Sequence, residues 1–365
     1  MKIRDRLYKF VLPLIVLCTL LAIPGGHSSG AFVRQNRSAK TFTNPLLSSG
    51  ADPWNIYKDG YYYYMHTTGR NLTIWKTRSI ADLPKAEKRV VWTPPEGMPY
   101  SKDIWAPELH YLEGKWYIYF AADAGTNQTH RLWVLENSSP DPLRGTWTMK
   151  GKLTDATDKW AIDGSVFADK GQLYLVWSGW EGDENGVQSI YIARLKNPWT
   201  VDGKRVRLTA PEYPWEKVGD ILDWKTSDNP PHVDVNEGPQ ILKRGDKLFL
   251  VYSASGCWTE NYSLGMLTAQ TDGDLLDPAT WRKSPRAVFQ PSPPARAYGT
   301  GHNSFFKSPD GTEDWILYHA NAEPGQGCGT HRSPRAQKFT WKLDGTPDFG
   351  EPLPINTRLP RPSGE

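Results

Sequence analysis

The sequence predicts an all-β fold, specifically a five-bladed β-propeller, from three observations. A pattern of strand, turn and aromatic-rich strand recurs five times along the chain. Helical periodicity is weak throughout, so the repeated unit is not a helical one. Each repeat leaves room for two further strands after its first pair, which is the size of a four-stranded propeller blade. Such blades stand around a central channel.

Each of the five copies begins with an acidic residue or a histidine, followed by a short apolar strand, a turn that usually contains glycine, and an aromatic-rich strand. Runs of Tyr, Trp, Val, Ile and Phe around a turn such as Asp59-Gly60 are typical of β-hairpins. In order, the copies read GADPWNIYKDGYYYYMHTT, WAPELHYLEGKWYIYFAAD, AIDGSVFADKGQLYLVWSG, VNEGPQILKRGDKLFLVYSASG and GHNSFFKSPDGTEDWILYHAN.

The leading residues of the copies are predicted to converge at one mouth of the channel, because the innermost strands of all blades run in the same direction. They are Asp52, Glu108, Asp163, Glu237 and His302. Taken singly, each acid is more simply explained by a turn or a cap, as aspartate before proline often is. Their recurrence weakens that alternative, since a fold tolerates clustered like charges mainly where a site does chemistry or holds a cation.

Clustered carboxylates in this arrangement indicate glycoside hydrolysis. Two carboxyl groups that flank a bond, one protonated and one ionised, are the machinery of that reaction. A third carboxylate nearby would keep the acid protonated near neutral pH by repulsion. The 17 tryptophans and the aromatic content of 12% fit a surface that stacks on sugar rings, although propellers also fill the interfaces between blades with aromatic side chains.

The amino terminus has the pattern of an export signal. Four basic residues flank the start of an apolar run from Phe10 to Ile23, which is short for a membrane span of about 20 residues. We expect residues 1–30 to be a signal peptide and residues 31–365 to form the propeller domain; a retained anchor is the alternative. The protein would then be secreted or periplasmic.

Removal of residues 1–30 lowers the formal charge from +3 to about zero. The remaining chain has no run of basic residues and no basic amphipathic segment. This composition argues against nucleic acid or a membrane surface as the partner. We therefore expect an uncharged partner.

Five ordered motifs resemble glycoside hydrolase family 43: GADPW, WAPEL, AIDGSVF, VNEGPQIL and GHNSFF. The resemblance covers about residues 42–353 and implies an inverting arabinofuranosidase, arabinanase or xylosidase on a five-bladed propeller. Carried over by position, it implies that Asp52 is the general base and Glu237 the general acid, with Asp163 tuning the pKa and orientation of Glu237. An inverting reaction requires the two catalytic carboxyl groups to lie about 6.5–9.5 Å apart.

The resemblance also implies roles for residues around these carboxylates. His302 would contact the sugar and lie near the channel axis, where many relatives hold a calcium or other ion largely through water; a hydrogen-bonded structural histidine is the alternative. Trp54 and Trp105 would line the sugar pocket, and Arg335 would contact sugar and acid. Glu108 departs from the aspartate often found after Trp-Ala-Pro, and we expect it to be a structural support. No cofactor is expected for the chemistry itself.

Two cysteines follow the predicted signal, Cys257 and Cys328, and by count alone they are either one disulfide or two unpaired core residues. Both follow the return of a second strand to the channel mouth, in adjacent blades. This placement favours a disulfide that joins two loops beside the active site. Cα atoms more than about 7 Å apart would argue against it.

The segment WTENYSLGML and the tail FTWKLDGTPDFGEPLP resemble the family branch that contains α-L-arabinofuranosidases, including enzymes that remove terminal arabinose from arabinan. We therefore expect a monomeric enzyme that releases terminal α-L-arabinofuranose from plant cell-wall polysaccharides or oligosaccharides. A β-xylosidase or an endo-arabinanase is the alternative within the family. A non-catalytic propeller lectin is the alternative outside it, but a lectin has no need for acids on three blades at one mouth.

Overall fold

The computed structural model describes residues 40–227 and 229–365, and within these ranges strands dominate, as the all-β prediction requires. The predicted signal peptide lies outside the described residues. The described helices are short 3-10 turns: Ile80–Lys85, Asn127–Thr129, Pro214–Glu216, Trp224–Thr226, Pro278–Thr280 and Pro293–Ala295. No helix in the described ranges has the length and apolar character needed to cross a membrane.

All of the strands fall into one compact unit of the chain. They are β1 (Thr41–Phe42), β2 (Trp54–Lys58), β3 (Tyr61–Met65), β4 (Leu72–Thr77), β5 (Glu87–Trp92), β6 (Lys102–Leu112), β7 (Lys115–Asp123), β8 (Arg131–Asn137), β9 (Thr148–Leu153), β10 (Ala161–Asp169), β11 (Gln172–Gly179), β12 (Val187–Asn197), β13 (Thr200–Thr209), β14 (Asp234–Arg244), β15 (Lys247–Ala254), β16 (Ser263–Gln270), β17 (Arg282–Lys283), β18 (Tyr298–Lys307), β19 (Asp314–Asn321), β20 (Ser333–Trp341), β21 (Pro347–Asp348) and β22 (Leu359–Pro360).

Strands that are neighbours in sequence are neighbours in space. β2–β5, β6–β9 and β18–β21 each form a four-stranded antiparallel sheet. β10–β13 and β14–β17 are two further antiparallel groups that share one eight-stranded sheet, because β12 and β14 pair in parallel over two residues each. β1 pairs with β22, so the two ends of the described chain meet.

The predicted hairpins are present as the first two strands of each group. At the first turn, Asp59 and Gly60 have φ of 52° and 80°, the left-handed backbone that a two-residue turn between antiparallel strands requires. Glu113-Gly114 and Lys170-Gly171 repeat the same pair of positive angles. Glycine at the second position adopts this conformation without a Cβ clash, which explains why it recurs between the aromatic strands.

The apolar core lies between neighbouring strand groups. Five buried clusters each join two consecutive groups, and one of them joins the last group to the first. At that closing interface Tyr62 meets Phe306 edge to face, with ring centroids 5.7 Å apart, and Trp315 packs in the same cluster. Asn44 exchanges two hydrogen bonds with the backbone of Ala336 across it. Many of the aromatic residues counted in the sequence are therefore core residues.

One backbone feature recurs near the start of the first strand of each group. Asp52, Ala106, Asp163, Gly238 and His302 all have left-handed backbone, with φ between 43° and 58°. In the last four groups the pairing register of the first two strands shifts around this residue. A bulge with left-handed backbone redirects the side chains beside it. These five positions are therefore structurally equivalent.

This equivalence corrects the predicted alignment of the leading residues. Asp52, Asp163 and His302 occupy the left-handed position, as expected. Glu108 comes two residues after that position in its group, and Glu237 comes one residue before it. The acids of the repeat therefore come from three different steps of the first strand.

Candidate active site

Asp52 lies in a buried pocket lined by cations and hydrogen-bond donors. Its Oδ2 accepts a hydrogen bond of 2.6 Å from the Thr67 hydroxyl, and its Oδ1 accepts one of 3.0 Å from Nη1 of Arg332. The Nδ1 atoms of His302 and His319 lie 3.3 Å and 3.5 Å from the same Oδ1. Thr67 is 15 positions from Asp52 in the chain, whereas Arg332 is 280 positions away, so the complete pocket exists only in the folded protein.

These contacts keep Asp52 ionised. Burial on its own raises the pKa of a carboxyl group, but Arg332, the two histidines and the Thr67 hydrogen bond together hold the pKa of Asp52 well below its usual range. A carboxylate that is charged at every pH of interest is suited to take a proton from water, but not to donate one.

The two histidines beside Asp52 are neutral near pH 7, because burial lowers the pKa of both. Nδ1 of His319 accepts the backbone N–H of Asp52 at 3.1 Å, which places the ring proton on Nε2. The backbone N–H of His302 donates to the Ser253 hydroxyl at 2.8 Å. Arg332 is therefore the permanent positive charge against Asp52.

Glu237 has a different environment. It is half-buried in β14, and its Oε1 accepts a hydrogen bond of 2.8 Å from the Tyr262 hydroxyl. Burial raises its pKa, the Tyr262 hydrogen bond opposes that rise, and the negative charge of Asp52 adds to it, so that the pKa of Glu237 lies at about 7. A carboxylic acid with this pKa is matched to proton donation near neutral pH.

Asp163 is the third carboxyl group of the site and is coupled to Glu237. It is buried, and its Oδ2 accepts the backbone N–H of Gly238 at 3.0 Å. Burial raises its pKa well above the usual value, and the charges of Glu237 and Asp52 raise it further. Two buried carboxyl groups this close do not both ionise readily, so the pair retains a proton near neutral pH.

Three side chains, His302 among them, could offer ligand atoms to the expected calcium ion. Asp163, Glu237 and His302 each offer one ligand atom, and these atoms lie within 4.8 Å of one another. Calcium takes about six to eight oxygen ligands, whereas this group offers two carboxyl groups that share a proton and one imidazole nitrogen. Direct coordination does not fit this group, and we derive no catalytic step through an ion. An ion held through water stays a prediction.

Glu108 is buried, and its hydrogen-bond partners are His110 and Gln240. Its Oε2 lies 2.8 Å from Nε2 of His110, and its Oε1 accepts a hydrogen bond from the Gln240 amide. Gln240 belongs to β14, the strand that carries Glu237. This position, which bridges two strand groups, is in keeping with the structural support expected from the sequence.

The two predicted sugar-pocket tryptophans are half-buried and each stacks on a histidine. Trp105 lies over His130 with ring centroids 4.0 Å apart. Trp54 lies over His110 at 4.7 Å, and its indole N–H donates to the carbonyl of Leu109 at 2.9 Å. Stacking fixes the orientation of both rings. Their contact with a sugar stays a prediction.

Arg335 does not occupy the predicted position against the catalytic acid. Its side chain is fully buried, and Nη2 donates to the carbonyls of Arg296 and Asn321 at 2.8 Å and 3.2 Å. The arginine that contacts a site carboxylate is Arg332, three residues earlier. The motif RAQKF lies in strand β20, whereas the guanidinium that contacts Asp52 comes from the loop before that strand.

Sequence reasoning therefore missed four residues of the site: Thr67, Tyr262, His319 and Arg332. Two of them carried a usable signal. Tyr262 follows Cys257 by five positions and Arg332 follows Cys328 by four, so the disulfide prediction already pointed to the loops that supply them. Thr67 and His319 are polar residues close to the ends of second strands, which no spacing rule singles out.

The predicted disulfide is confirmed. Cys257 and Cys328 are bonded, with Cα atoms 5.2 Å apart. The bond joins the loop after β15 to the loop after β19, in neighbouring strand groups. Each of the two joined loops supplies one contact to a carboxyl group of the site, Tyr262 to Glu237 and Arg332 to Asp52.

Comparison with known proteins is consistent with this site. The family model described as glycosyl hydrolases family 43 matches residues 42–347. An extracellular exo-α-(1→5)-L-arabinofuranosidase of Streptomyces avermitilis is 37% identical over 95% of this chain and 70% of its own length. The α-L-arabinofuranosidase 43 of Humicola insolens is 36% identical over 87% of this chain and 64% of its own length.

A solved structure has a similar fold. It is the crystal structure of an α-L-arabinofuranosidase from Lactobacillus brevis, which superposes with a TM-score of 0.78 at 39% sequence identity. The match covers 87% of this chain and 98% of that one. The similarity therefore extends over nearly all of the strand groups described above.

Proposed function

Because the chain belongs to family 43 of the glycosyl hydrolases, we propose that it is an exo-acting, inverting α-L-arabinofuranosidase. It would release terminal α-L-arabinofuranose from arabinan or from arabinose-substituted oligosaccharides of the plant cell wall. The observation that carries the proposal is the division of charge in the site: Asp52 is held ionised, while Glu237 and Asp163 together retain a proton.

The five strand groups are proposed to be the five blades of a β-propeller. Three of them are separate four-stranded sheets, and the other two differ only by the short parallel pairing of β12 with β14. The five interface clusters link the groups in a closed cycle, which supports this count. The pairing of β1 with β22 would fasten the cycle at the chain ends.

In the proposed mechanism Asp52 and Glu237 divide the two proton transfers. Ionised Asp52 takes a proton from a water molecule as that water attacks the anomeric carbon. Protonated Glu237 gives its proton to the glycosidic oxygen as the bond breaks. Inversion requires about 6.5–9.5 Å between the two carboxyl groups, so that the water fits behind the sugar. Asp163 raises the pKa of Glu237 by its proximity and so keeps the acid loaded.

The sugar would lie between these carboxyl groups. We propose that Trp105 and Trp54 offer ring faces to it, because both rings retain some exposure and are held by stacking on histidines. Arg332, rather than Arg335, would approach the sugar from the side of Asp52. His302 would border the same pocket, since it lies against Asp52 and within reach of Glu237.

We propose arabinofuranose as the sugar because several relatives at 36–38% identity are named as arabinofuranosidases. A more distant relative, at 24% identity, is named as an arabinan endo-1,5-α-L-arabinosidase, so endo action is the second candidate. Two of the arabinofuranosidase relatives are named as extracellular. That name, together with the signal pattern of residues 1–30, supports secretion of this protein.

Hydrolysis of p-nitrophenyl α-L-arabinofuranoside and p-nitrophenyl β-D-xylopyranoside, measured side by side, tests the proposal. Preferential cleavage of the arabinoside, lost in an Asp52→Ala variant, is the expected result. Preferential cleavage of the xyloside would replace the substrate assignment. Cleavage of neither, with release of short products from linear arabinan, would establish the endo alternative. The configuration of the first arabinose released, followed by NMR, tests inversion.

A further inference from the structure

The disulfide joins the two loops that deliver contacts to the two proposed catalytic residues. The first loop, residues 255–262, connects β15 to β16 and contains Cys257 and Tyr262. The second loop, residues 322–332, connects β19 to β20 and contains Cys328 and Arg332. Tyr262 donates to Glu237 at 2.8 Å and Arg332 donates to Asp52 at 3.0 Å. The disulfide therefore links the loop that contacts Glu237, the proposed acid, to the loop that contacts Asp52, the proposed base.

The 255–262 loop holds Tyr262 in a fitted position. The Tyr262 ring is fully buried and lies parallel to the His319 ring, with centroids 5.7 Å apart. A Cβ atom on Gly301 would come within 2.3 Å of the Tyr262 ring. Any residue larger than glycine at position 301 would therefore clash with this ring. The hydroxyl of Tyr262 is thereby aimed at Glu237.

The 322–332 loop has few apolar anchors of its own. All of its residues are exposed or half-buried, and Gly327 and Gly329 flank Cys328. Its described contacts with the first loop include the N–H of Gly325, which donates to the Glu260 carboxylate at 3.0 Å. The backbone carbonyl of Arg332 accepts the N–H of Gly50 at 2.9 Å, two residues before Asp52. The position of this loop therefore sets the position of the Asp52 segment.

We propose that the Cys257–Cys328 disulfide, acting through Tyr262 and Arg332, is a positioning element that keeps the general acid and the general base in register. This inference rests on the roles proposed above for Asp52 and Glu237. Without the bond, the 322–332 loop withdraws Arg332 from Asp52 and the 255–262 loop loosens the Tyr262 contact. Both catalytic carboxyl groups then lose their orienting partners at once.

The effect on the two proton transfers has a definite sign. Asp52 faces Arg332, His302, His319 and Tyr64, and among these Arg332 is the permanent cation; its withdrawal raises the pKa of Asp52. The acid limb of activity, where Asp52 takes up a proton and can no longer act as a base, then moves to higher pH.

Glu237 faces Tyr262, Asp163, Asp52, Arg332 and His302. Tyr262 and Arg332 both lower its pKa, so their withdrawal raises it. The alkaline limb of activity, where the acid loses its proton, also moves to higher pH. Both limbs of the kcat/KM profile therefore move in the same direction.

The experiment compares the oxidised protein with protein whose disulfide has been reduced and alkylated, and with a Cys257→Ser/Cys328→Ser variant. The pH dependence of kcat/KM on p-nitrophenyl α-L-arabinofuranoside is measured for each, after circular dichroism has established that each is folded. We expect a loss of about ten- to hundredfold at the optimum, as for small misplacements of reacting groups, with both limbs displaced to higher pH. The double variant treated with reductant is the matched control and should not change further.

Two single variants separate the two arms of the proposal. Tyr262→Phe should move the alkaline limb alone to higher pH. Arg332→Gln should mainly move the acid limb to higher pH. A disulfide with a purely structural role would lower the melting temperature and leave both limbs in place, and that result would overturn the inference.

Hydrogen exchange gives a readout that does not depend on catalysis. Reduction should speed exchange in peptides that cover residues 322–332 and 50–52, because Gly50 donates to Arg332 and Asp52 donates to His319. Peptides from the buried strand β7 should not change. Absence of arabinoside hydrolysis by the oxidised protein would count against the proposed function, whereas unchanged exchange at residues 50–52 after reduction would count against the positioning role.

Discussion

The Asp52 pocket and the Asp163–Glu237 pair both remove carboxyl groups from solvent, yet they shift the pKa of these groups in opposite directions. Around Asp52, a guanidinium and a threonine hydroxyl outweigh the cost of burial, and the carboxyl group stays ionised. At the pair, burial and a neighbouring acid outweigh one tyrosine and one backbone N–H, and a proton is retained. The comparison shows that charge partners, not burial itself, decide which carboxyl group stays ionised and which retains a proton.

The largest expected effect comes from replacement of Asp52, the carboxylate that is held ionised. Asp52→Asn keeps the shape of the side chain but cannot accept a proton from water. We expect kcat on the arabinoside to fall about 10³- to 10⁴-fold, at the upper end of the range for general-base catalysis. Steady-state kinetics checks this result. Asp59→Asn, at an exposed turn of the same hairpin, is the matched control and should retain activity. Retention of more than a tenth of the activity by Asp52→Asn would exclude Asp52 as the base.

Removal of the protonated side should have a smaller effect that depends on the leaving group. Glu237→Ala lacks the proton donor, so we expect a loss of about 10²- to 10³-fold on arabino-oligosaccharides, whose leaving alcohol needs protonation. The loss on p-nitrophenyl arabinoside should be much smaller, because nitrophenolate leaves without help. Both substrates are assayed with the same enzyme preparation. Equal losses on the two substrates would contradict the assignment of Glu237 as the acid.

The sequence identified the acids of this comparison but not what makes them different. Asp52, Asp163 and Glu237 follow from hairpins that repeat, because runs rich in aromatic and β-branched residues around a glycine turn are local features that a single sequence displays. The alignment of Glu237 with Asp52 was off by one residue, since the left-handed bulge that sets the step depends on backbone geometry and not on residue type.

The partners of these acids are set by long-range packing. Arg332 reaches Asp52 across 280 positions of sequence, and the choice of Arg335 in its place shows that a motif cannot decide whether a guanidinium lies on a strand or in the loop before it. The disulfide was predictable because both cysteines follow the return of a second strand in adjacent strand groups. His319 becomes visible only when the last strand group packs against the first.

A change at Asp163 tests whether the pair behaves as one unit. In the intact protein, activity should fall as the pH rises through about 7, because Glu237 then loses its proton. When the shared proton resides on Glu237, Asp163 is the ionised member of the pair, and Asp163→Asn then removes a neighbouring negative charge, which lowers the pKa of Glu237 and moves the alkaline limb to lower pH. We expect kcat/KM near pH 7 to fall about tenfold, with the limb displaced by about one unit. The pH profile of kcat/KM measures both.

An unchanged alkaline limb in Asp163→Asn would mean that the retained proton belongs to Asp163 and not to Glu237. The two outcomes are distinguishable because the hydrogen bond from Gly238 to residue 163 can persist in the variant through the amide oxygen. A melting temperature close to that of the unchanged protein would establish that the effect is electrostatic.

The smallest expected effect comes from Thr67, the neutral donor to Asp52. Its hydroxyl donates to Oδ2 of Asp52 at 2.6 Å and accepts the N–H of Ala106 at 2.7 Å. Thr67→Val should raise the pKa of Asp52 modestly, since Arg332 and the histidines remain, and move the acid limb slightly to higher pH. One hydrogen bond to a charged group contributes about 1.5–3 kcal/mol, and the intact partners compensate in part, so we expect a two- to tenfold loss in kcat/KM. Thr67→Ser keeps the hydroxyl and should restore the profile. A loss as large as that of Asp52→Asn would mean that the hydroxyl, and not the cationic side of the pocket, holds Asp52 in its ionised form.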